Sequence, residues 1–224
     1  MADIQLLGTV YVRGMATIPG KSLSRYRNPE RTPITILNTE NGNGIRWIEV
    51  NGLLVAQQEL LTHISWEMLE ANGLVSGKHM IIDGWPYKCR LLQTESKNGQ
   101  PSEWDILRKS FPDCWKFDTR SFWGCDKLWT IDASIAGYSP ILLHCVGWRP
   151  VLEADFQLSE NLVGNHITAR VGHGILQGTL IELTEYDLVF QDVIAAHMAN
   201  ENFRLLSGNK MIVSREAISN IQTK

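Results

Sequence analysis

The residues best suited to chemistry are tryptophans and arginines in the middle of the chain. Tryptophan stacks on planar rings, and arginine pairs with phosphate or carboxylate through two parallel hydrogen bonds. Such side chains at high density can line a binding cleft, form a stiff core, or do both. Five tryptophans fall within 45 residues, and they are Trp104, Trp115, Trp123, Trp129 and Trp148.

The tryptophans divide by the sequence around them. Residues 111–140 mix aromatic, glycine, proline and charged residues without a regular period, which is typical of long loops. Because binding residues favour loops on rigid scaffolds, we expect at least one of Trp123 and Trp129 at the surface. Other rings are expected in the core, since burying each removes roughly 150–250 Å² from water. The predicted core members are Trp104, Trp115 and Trp148. The predicted ligand-binding residues are Arg120, Trp123, Trp129, Tyr138 and Arg149.

No spacing in the chain points to a metal, a cofactor or a catalytic nucleophile. The six histidines and four cysteines lack the C-x₂₋₄-C and H-x₃₋₅-H pairs of structural zinc sites. The chain also lacks a G-x-S-x-G motif, a P-loop and a Rossmann fingerprint. Acidic pairs such as Asp113 with Asp118 are typical of capped loop turns. We therefore predict no metal, no cofactor and no catalytic residues, and an enzyme that uses these loop acids stays an alternative.

Length and charge bound the class of protein. The chain has 224 residues, of which 44% are hydrophobic and 20% charged, as is ordinary for a globular protein. A formal net charge of -3 disfavours non-specific duplex binding, which needs a basic excess. No apolar stretch approaches the roughly 20 residues of a membrane span, and the first residues lack the basic and apolar regions of a signal peptide. We therefore expect a cytoplasmic protein without membrane contact, whose four cysteines are free thiols in a core.

Glycine and asparagine divide the N-terminal part of the chain into strands. Residues 5–17 are rich in β-branched residues and predict one strand with a glycine bulge. The run Asn41-Gly42-Asn43-Gly44 predicts a hairpin between residues 34–37 and 45–50. The physical reason is that asparagine and glycine tolerate the positive φ of tight turns.

A second hairpin and two helices are predicted further along. Asp83-Gly84 is a hairpin turn sequence between residues 80–82 and 87–92. Serine hydroxyls accept hydrogen bonds from the open N–H groups of a helix start, so Ser65 and Ser102 are predicted N-caps. Each precedes a short run of residues with helix-forming composition.

The composition changes after about residue 155. Apolar and β-branched runs there alternate with turn residues, and no tryptophan occurs from residue 162 onward. Short strands at regular spacing favour a small barrel, and we place a domain boundary near residue 157. The predicted strands are residues 167–171, 178–183, 187–192, 203–205 and 210–213.

The C-terminal strands carry a family resemblance. The matching segments are residues 168–171, 178–180, 186–189 and 211–218. With these segments the last 60 residues resemble an Sm-like, SH3-type barrel, the fold of the bacterial Sm-like RNA chaperone. The resemblance implies a ring-forming, RNA-binding domain. Its implied second-site residues are Tyr186, Asp187 and Arg215.

The middle of the chain carries a second resemblance. The matching motifs are Ile82-Asp83-Gly84, residues 87–92, Glu103-Trp104-Asp105 and residues 147–153. With them, residues 77–153 resemble a C-type-lectin-like domain of the formylglycine-generating and variable-protein kind. They also resemble uncharacterised prophage and firmicute proteins. The cysteine pair of the formylglycine-generating enzymes is not recognisable, which weighs against their oxidative chemistry.

Together these features predict an α+β protein of two parts. Residues 1–157 form an N-terminal β extension with a β-rich lectin-like domain, and residues 158–224 form a small Sm-like β-barrel. The expected function is non-enzymatic capture of a small polar, nucleotide-like ligand or of a host protein. The resemblance places this in a phage or prophage setting, with counter-defence in the bacterial cytoplasm as its role and a homo-oligomer as its state. The alternatives are an RNA-binding Sm-like protein and a virion structural protein.

Overall fold

Contacts divide the chain into two compact units. The structure is a computed structural model that describes residues 4–25, 32–96, 99–110, 122–125, 129–130, 146–172, 174–196 and 203–223. Unit 1 consists of Met1–Asp83 with Tyr87–Glu153, and unit 2 of Gly84–Pro86 with Ala154–Lys224. Strands far outnumber helices and form several antiparallel sheets, so the prediction of a β-rich protein is confirmed.

The described residues up to Ala154 contain short strands and two α-helices. The helices are α1 (Trp66–Ala71) and α2 (Glu103–Ser110). The strands are β1 (Ile4–Leu6), β2 (Thr9–Val12), β3 (Met15–Thr17), β4 (Lys21–Ser22), β5 (Ile34–Leu37), β6 (Arg46–Val50), β7 (Leu53–Ala56), β8 (Leu61–Thr62), β9 (Lys78–Ile82), β10 (Trp85–Leu91), β11 (Phe122–Trp123), β12 (Trp129–Thr130) and β13 (Pro150–Ala154).

Tight turns determine how these strands pair. The largest sheet among them has the order β1-β6-β7-β13-β10-β9, a smaller one has the order β3-β2-β5, and β4 pairs in parallel with β8. Three hairpins turn on two residues that both have positive φ, namely Arg13-Gly14, Asn51-Gly52 and Asp83-Gly84. That geometry matches the right-handed twist of the strands. The predicted hairpin at Asp83-Gly84 is therefore confirmed.

Two expectations for the N-terminal part are wrong. Residues 5–17 form three strands in two sheets, because Gly8 takes a φ of +71° that redirects the chain. A Cβ at Gly8 would lie 2.6 Å from Ile36 Cγ2, so close packing also requires glycine there. The predicted hairpin between residues 34–37 and 45–50 does not form either. Strand β5 pairs with β2, whereas β6 pairs with β1 and β7, since their apolar residues pack in different places.

Both predicted helices form, and each begins at the residue that follows its predicted serine N-cap. Ser65 Oγ accepts a hydrogen bond from Met68 N at 3.2 Å, and Ser102 Oγ accepts one from Asp105 N at 3.0 Å. The Asp105 carboxylate accepts in return from Ser102 Oγ at 2.7 Å, and these hydrogen bonds lower the pKa of Asp105. Each cap satisfies N–H groups that a helix start would otherwise leave open.

A part-buried ion-pair network attaches α2 to the large sheet. The Arg90 guanidinium binds both carboxylate oxygens of Glu103, at 2.9 and 2.7 Å. Its Nε also donates to Glu153 at 3.2 Å. Trp104 of the same helix then packs edge-on against Phe122, with ring centroids 5.0 Å apart. Helix position is thus fixed by directional charge pairing as well as by apolar burial.

Unit 2 contains the C-terminal strands, and all five predicted strands are confirmed. A further strand, β19, was missed because Ser219 and Asn220 separate its two isoleucines, so the segment lacks the period-2 alternation of a half-buried strand. The sheet order in the described residues is β17-β18-β16-β15-β14-β19. The strands are β14 (His166–Val171), β15 (Gly174–Leu183), β16 (Asp187–Ala196), β17 (Phe203–Leu206), β18 (Lys210–Ser214) and β19 (Ile218–Thr223).

The segment Gly84–Pro86 contributes to unit 2 through two specific contacts. The Arg170 guanidinium lies 5.1 Å above the Trp85 ring. Asn220 is fully buried, and its Nδ2 donates to Pro86 O at 2.9 Å. Across the described part of the chain, no helix is long and apolar enough to cross a membrane.

The buried thiol of Cys89 should be chemically inert in the native protein. Cys89 is fully buried, and burial raises the pKa of its thiol to about 12. Because thiolate is the reactive form, iodoacetamide should label the half-buried Cys125 and spare Cys89 until the protein unfolds. Peptide mass spectrometry measures this, and equal labelling of the two cysteines would contradict it.

The same pKa shift predicts a pH dependence of stability. An exposed thiol in the unfolded chain ionises near pH 9, well below the folded-state value of about 12. The folded protein therefore holds its proton longer, so the stabilisation is complete below pH 9 and is lost as the pH rises toward 12. Wild type should lose free energy of unfolding over this range more steeply than Cys89→Ala, as measured by urea denaturation. Parallel curves would contradict the assignment.

Candidate ligand-binding site

The structure places the predicted ligand-binding residues in different situations. Arg120 and Tyr138 lie outside the described residues, as does the predicted core residue Trp115. Trp129 is described only as part of β12, where it pairs with Trp123. Of the five predicted ligand-binding residues, the structure describes the side chains of Trp123 and Arg149.

Trp123 lies in the core, so its prediction as a ligand-binding residue is wrong, and it is not the surface tryptophan expected from the pair Trp123 and Trp129. Its side chain is 6% exposed, and its Nε1 donates to Ile64 O at 2.8 Å. Its ring packs edge-on against Trp66, with centroids 5.9 Å apart. A buried indole N–H needs an acceptor, and Ile64 supplies one that holds the ring inside. Trp104 and Trp148 are also buried, as predicted.

Arg149 forms a buried ion pair. It is 2% exposed, and its Nη2 lies 3.3 Å from Oε1 of Glu59, which is also buried. The guanidinium stands 5.2 Å from the centre of the Phe122 ring. Burial lowers the pKa of Arg149, and the adjacent Glu59 carboxylate opposes that shift. The expectation that Arg149 faces an open cleft is therefore wrong, because its guanidinium is buried and paired with Glu59.

Residues 146–149, here called the closing segment, form backbone hydrogen bonds with residues 60–64 on one side and with Trp123 on the other. Trp148 exchanges hydrogen bonds of 2.8 Å with Leu60 N and Leu61 O. On the other side, Trp123 N donates to Gly147 O at 3.1 Å. A Cβ on Gly147 would lie 2.4 Å from Glu59 Cγ. Glycine thus leaves the space through which Glu59 reaches Arg149.

An open pocket lies beside Leu60, next to the residues that precede β4. Its volume is about 240 Å³, and its lining residues are Pro19, Gly44, Ile45, Arg46, Gln57, Gln58 and Leu60. Gly20 N donates to Leu60 O at 2.9 Å, and Leu60 N donates to Trp148 O. Gln57 N donates to Arg46 O at 2.9 Å. The backbone of the lining residues is therefore fixed, while their polar side chains face the opening.

The pocket combines one positive charge with two amides. Arg46 is exposed, and none of the ion pairs in the described residues uses its guanidinium. A guanidinium offers five donors in a rigid fork that matches phosphate or carboxylate. Gln57 and Gln58 add amide groups that both donate and accept. The arrangement can bind a small anion that carries further polar groups.

Sequence reasoning missed this pocket because its residues have no distinctive spacing. Arg46 stands in a strand, and Gln57 and Gln58 follow another strand. They meet only because β6 pairs with β7, with Trp47 opposite Ala56. The one signal present in the sequence was the pair of adjacent glutamines after an apolar strand.

The residues of the implied second site meet at one turn of unit 2. Arg215 Nη1 donates to Thr184 O at 2.9 Å and to Glu185 O at 3.3 Å. Asp187 N donates to Thr184 Oγ1 at 2.9 Å, and the Tyr186 side chain is 70% exposed. The Arg215 guanidinium therefore holds the turn between β15 and β16, and the Tyr186 ring remains accessible.

The chain shows no likeness to a known protein in the comparisons made. No protein-family model, no curated protein and no solved structure matches it. Within the described residues, no three histidine, cysteine or acidic side chains form a group that could hold a metal ion.

Loss of one partner of the buried ion pair should destabilise unit 1 strongly. Arg149→Met leaves the Glu59 carboxylate buried without its counter-charge, which costs about 3–5 kcal/mol. The double variant Glu59→Met/Arg149→Met should lose less, because no charge stays buried. Glu59→Met completes the cycle, and urea denaturation of the two single variants and the double variant gives the coupling energy. Arg204→Met, an exposed position in unit 2, is the control and should change stability by no more than about 0.5 kcal/mol. Additive losses in the double variant would contradict this account.

The glycine of the closing segment gives a matched test of packing. Gly147→Ala places a Cβ against Glu59 and should cost about 1–3 kcal/mol of unfolding free energy. Gly44→Ala is the control, since its Cβ would come no closer than 3.3 Å to Leu6 Cδ2 and 3.4 Å to Thr39 Cγ2. Thermal and urea unfolding measure both, and equal losses would show that Gly147 has no special packing role.

Proposed function

We propose that this chain is a binding protein that captures a small anionic ligand at the pocket beside Leu60. The observation that carries the proposal is that the exposed Arg46 shares the lining of a pocket of about 240 Å³ with Gln57 and Gln58. Ligand sites typically combine apolar walls with a few polar groups that fix orientation. Ile45, Leu60 and Pro19 provide such walls here.

The size and polar groups of the pocket favour a ligand no larger than a nucleotide. Typical ligand pockets have volumes of about 300–1,000 Å³, so this one lies just below that range. Arginine recognises a phosphate through two hydrogen bonds, and a glutamine amide can pair with the edge of a nucleobase. A phosphate at Arg46 with a planar polar group at Gln57 or Gln58 satisfies both recognition modes. A nucleotide-derived ligand therefore fits better than a sugar without charge.

For the two units we propose the folds that the sequence resembles. In unit 2 the order β19-β14-β15-β16-β18, with the 3-10 helix Arg215–Ala217 before β19, supports an SH3-type, Sm-like barrel with β17 added at its edge. For unit 1 the buried Gly147-Trp148-Arg149 supports a lectin-like core. The phage setting, counter-defence, a host-protein partner and a homo-oligomer are proposals by analogy with the resembling proteins.

Removal of the Arg46 charge should weaken ligand binding. Adenosine monophosphate and inorganic phosphate are the probes, and isothermal titration measures their Kd. Arg46→Met should raise the Kd for adenosine monophosphate by about 10- to 100-fold, because a hydrogen bond to a charged group contributes roughly 1.5–3 kcal/mol. Arg204→Met in unit 2 removes the same charge and should leave the Kd unchanged.

The glutamines separate recognition of the planar group from recognition of the phosphate. Gln57→Ala with Gln58→Ala should weaken adenosine monophosphate and leave inorganic phosphate unchanged. No heat of binding for either probe, or an Arg46→Met variant that binds as wild type, would overturn the proposal.

A further inference from the structure

A serine and a histidine stand in hydrogen-bond contact at the surface of unit 1. Ser22 Oγ lies 3.1 Å from His63 Nδ1, and Ser22 is exposed to solvent. When the histidine carries its proton on Nε2, Nδ1 is an acceptor and the Ser22 hydroxyl can donate to it. Ser24 N also donates to Ser22 Oγ at 3.3 Å, and Ser24 Oγ lies 3.2 Å away. The Ser22 hydroxyl thus accepts from Ser24 N and has two acceptors in reach, His63 Nδ1 and Ser24 Oγ, and the Thr62 hydroxyl also lies 3.3 Å from His63 Nδ1.

His63 is held in a backbone conformation that its side chain disfavours. Its φ is +56°. The other described non-glycine residues with positive φ have a local explanation: hairpin turns for Arg13, Asn51, Asp83 and Asn209, and a β-bulge for Asp192. His63 lies in neither setting, at the end of β8. Strained backbone of this kind costs about 1–3 kcal/mol and is concentrated at functional sites.

The closing segment holds the residues on either side of His63 in place. Leu61 O accepts from Trp148 N, and Ile64 N donates to Val146 O at 3.2 Å. Ile64 O accepts from the Trp123 indole. With both neighbours fixed, His63 cannot relax its φ without breaking these hydrogen bonds. The backbone at His63 is therefore held in the conformation in which its imidazole contacts Ser22.

Strand pairing brings Ser22 close to His63. Ser22 lies opposite Thr62 in the parallel pair of β4 and β8, and His63 follows Thr62 in the chain. Ser22 is exposed, so a small molecule can reach its hydroxyl from solvent.

We propose that Ser22 and His63 form a nucleophile–base pair that accepts an acyl group from a small activated ester. A hydroxyl is a weak nucleophile at neutral pH and reacts when an adjacent base takes its proton. The Ser22 hydroxyl and the His63 imidazole are within hydrogen-bond distance of each other, as such a pair requires. This activity uses no residue of the pocket, so it stands or falls independently of ligand capture.

The reaction has two balanced steps. Ser22 Oγ attacks the ester carbonyl, its proton moves to His63 Nδ1, and the carbon–oxygen bond to the leaving alcohol or phenol breaks. The leaving oxygen takes that proton, and the acyl group stays on Ser22. Water then attacks the acyl carbon, gives a proton to His63, and Ser22 Oγ leaves and recovers the proton. Only water and the ester are consumed.

The test is acetylation of the full-length protein by p-nitrophenyl acetate, read by peptide mass spectrometry. We expect acetyl on Ser22 in the wild-type protein and none at that position in Ser22→Ala. Ser76→Ala, which alters another exposed serine, should keep the Ser22 modification. No acetyl on Ser22 of the wild type would overturn the proposal.

A second variant separates a base from a merely structural histidine. His63→Gly removes the imidazole and accepts positive φ, so the backbone is kept. It should acetylate Ser22 about 100-fold more slowly, as expected for loss of a general base. Added imidazole should restore much of that rate, whereas a structural role would give no rescue. Ser22 acetylation at the wild-type rate in His63→Gly would overturn the proposal, as would a slow rate that imidazole leaves unchanged. Thermal unfolding confirms that each variant is folded.

Discussion

The buried ion pair between Glu59 and Arg149 is the constraint on which unit 1 depends. Each charge costs several kcal/mol to remove from water, so the pair persists only where the surrounding backbone fixes both partners. Gly147 leaves room for Glu59, and Trp148 binds the backbone of Leu60 and Leu61. Glu59 precedes Leu60, which lines the pocket, and lies four residues before His63 in the chain. The interior ion pair therefore lies beside the stretch of backbone that carries both surface sites.

Local chemistry made much of the fold predictable. Asp83-Gly84 and the serine caps of both helices were predicted correctly, because positive φ and open N–H groups depend on residues that are adjacent in sequence. The strands of unit 2 were found for the same reason, since turn residues separate each apolar run. The segment that forms β19 was missed, because its own residues show no regular strand pattern and it becomes a strand by pairing with β14.

Features that depend on distant partners were not predictable. The sequence around Asn41-Gly42 is that of a hairpin, yet β5 and β6 pair with strands elsewhere. Trp123 has a loop-like sequence context but finds its acceptor at Ile64, which lies 59 residues earlier in the chain. The pocket around Arg46 likewise arises from strand pairing. In each case the decisive energy comes from a neighbour that no local pattern reveals.

Unit 2 is discontinuous in sequence, and this has a consequence for how it can form. Its first residues, Gly84–Pro86, leave the ribosome long before Ala154, and the buried amide of Asn220 needs the carbonyl of Pro86. Folding of this unit can therefore be complete only after β19 has been synthesised, and until then Pro86 lacks its hydrogen bond with Asn220. A gene fragment that starts at Ala154 would encode every strand of β14–β19 and still leave one buried polar group without its acceptor.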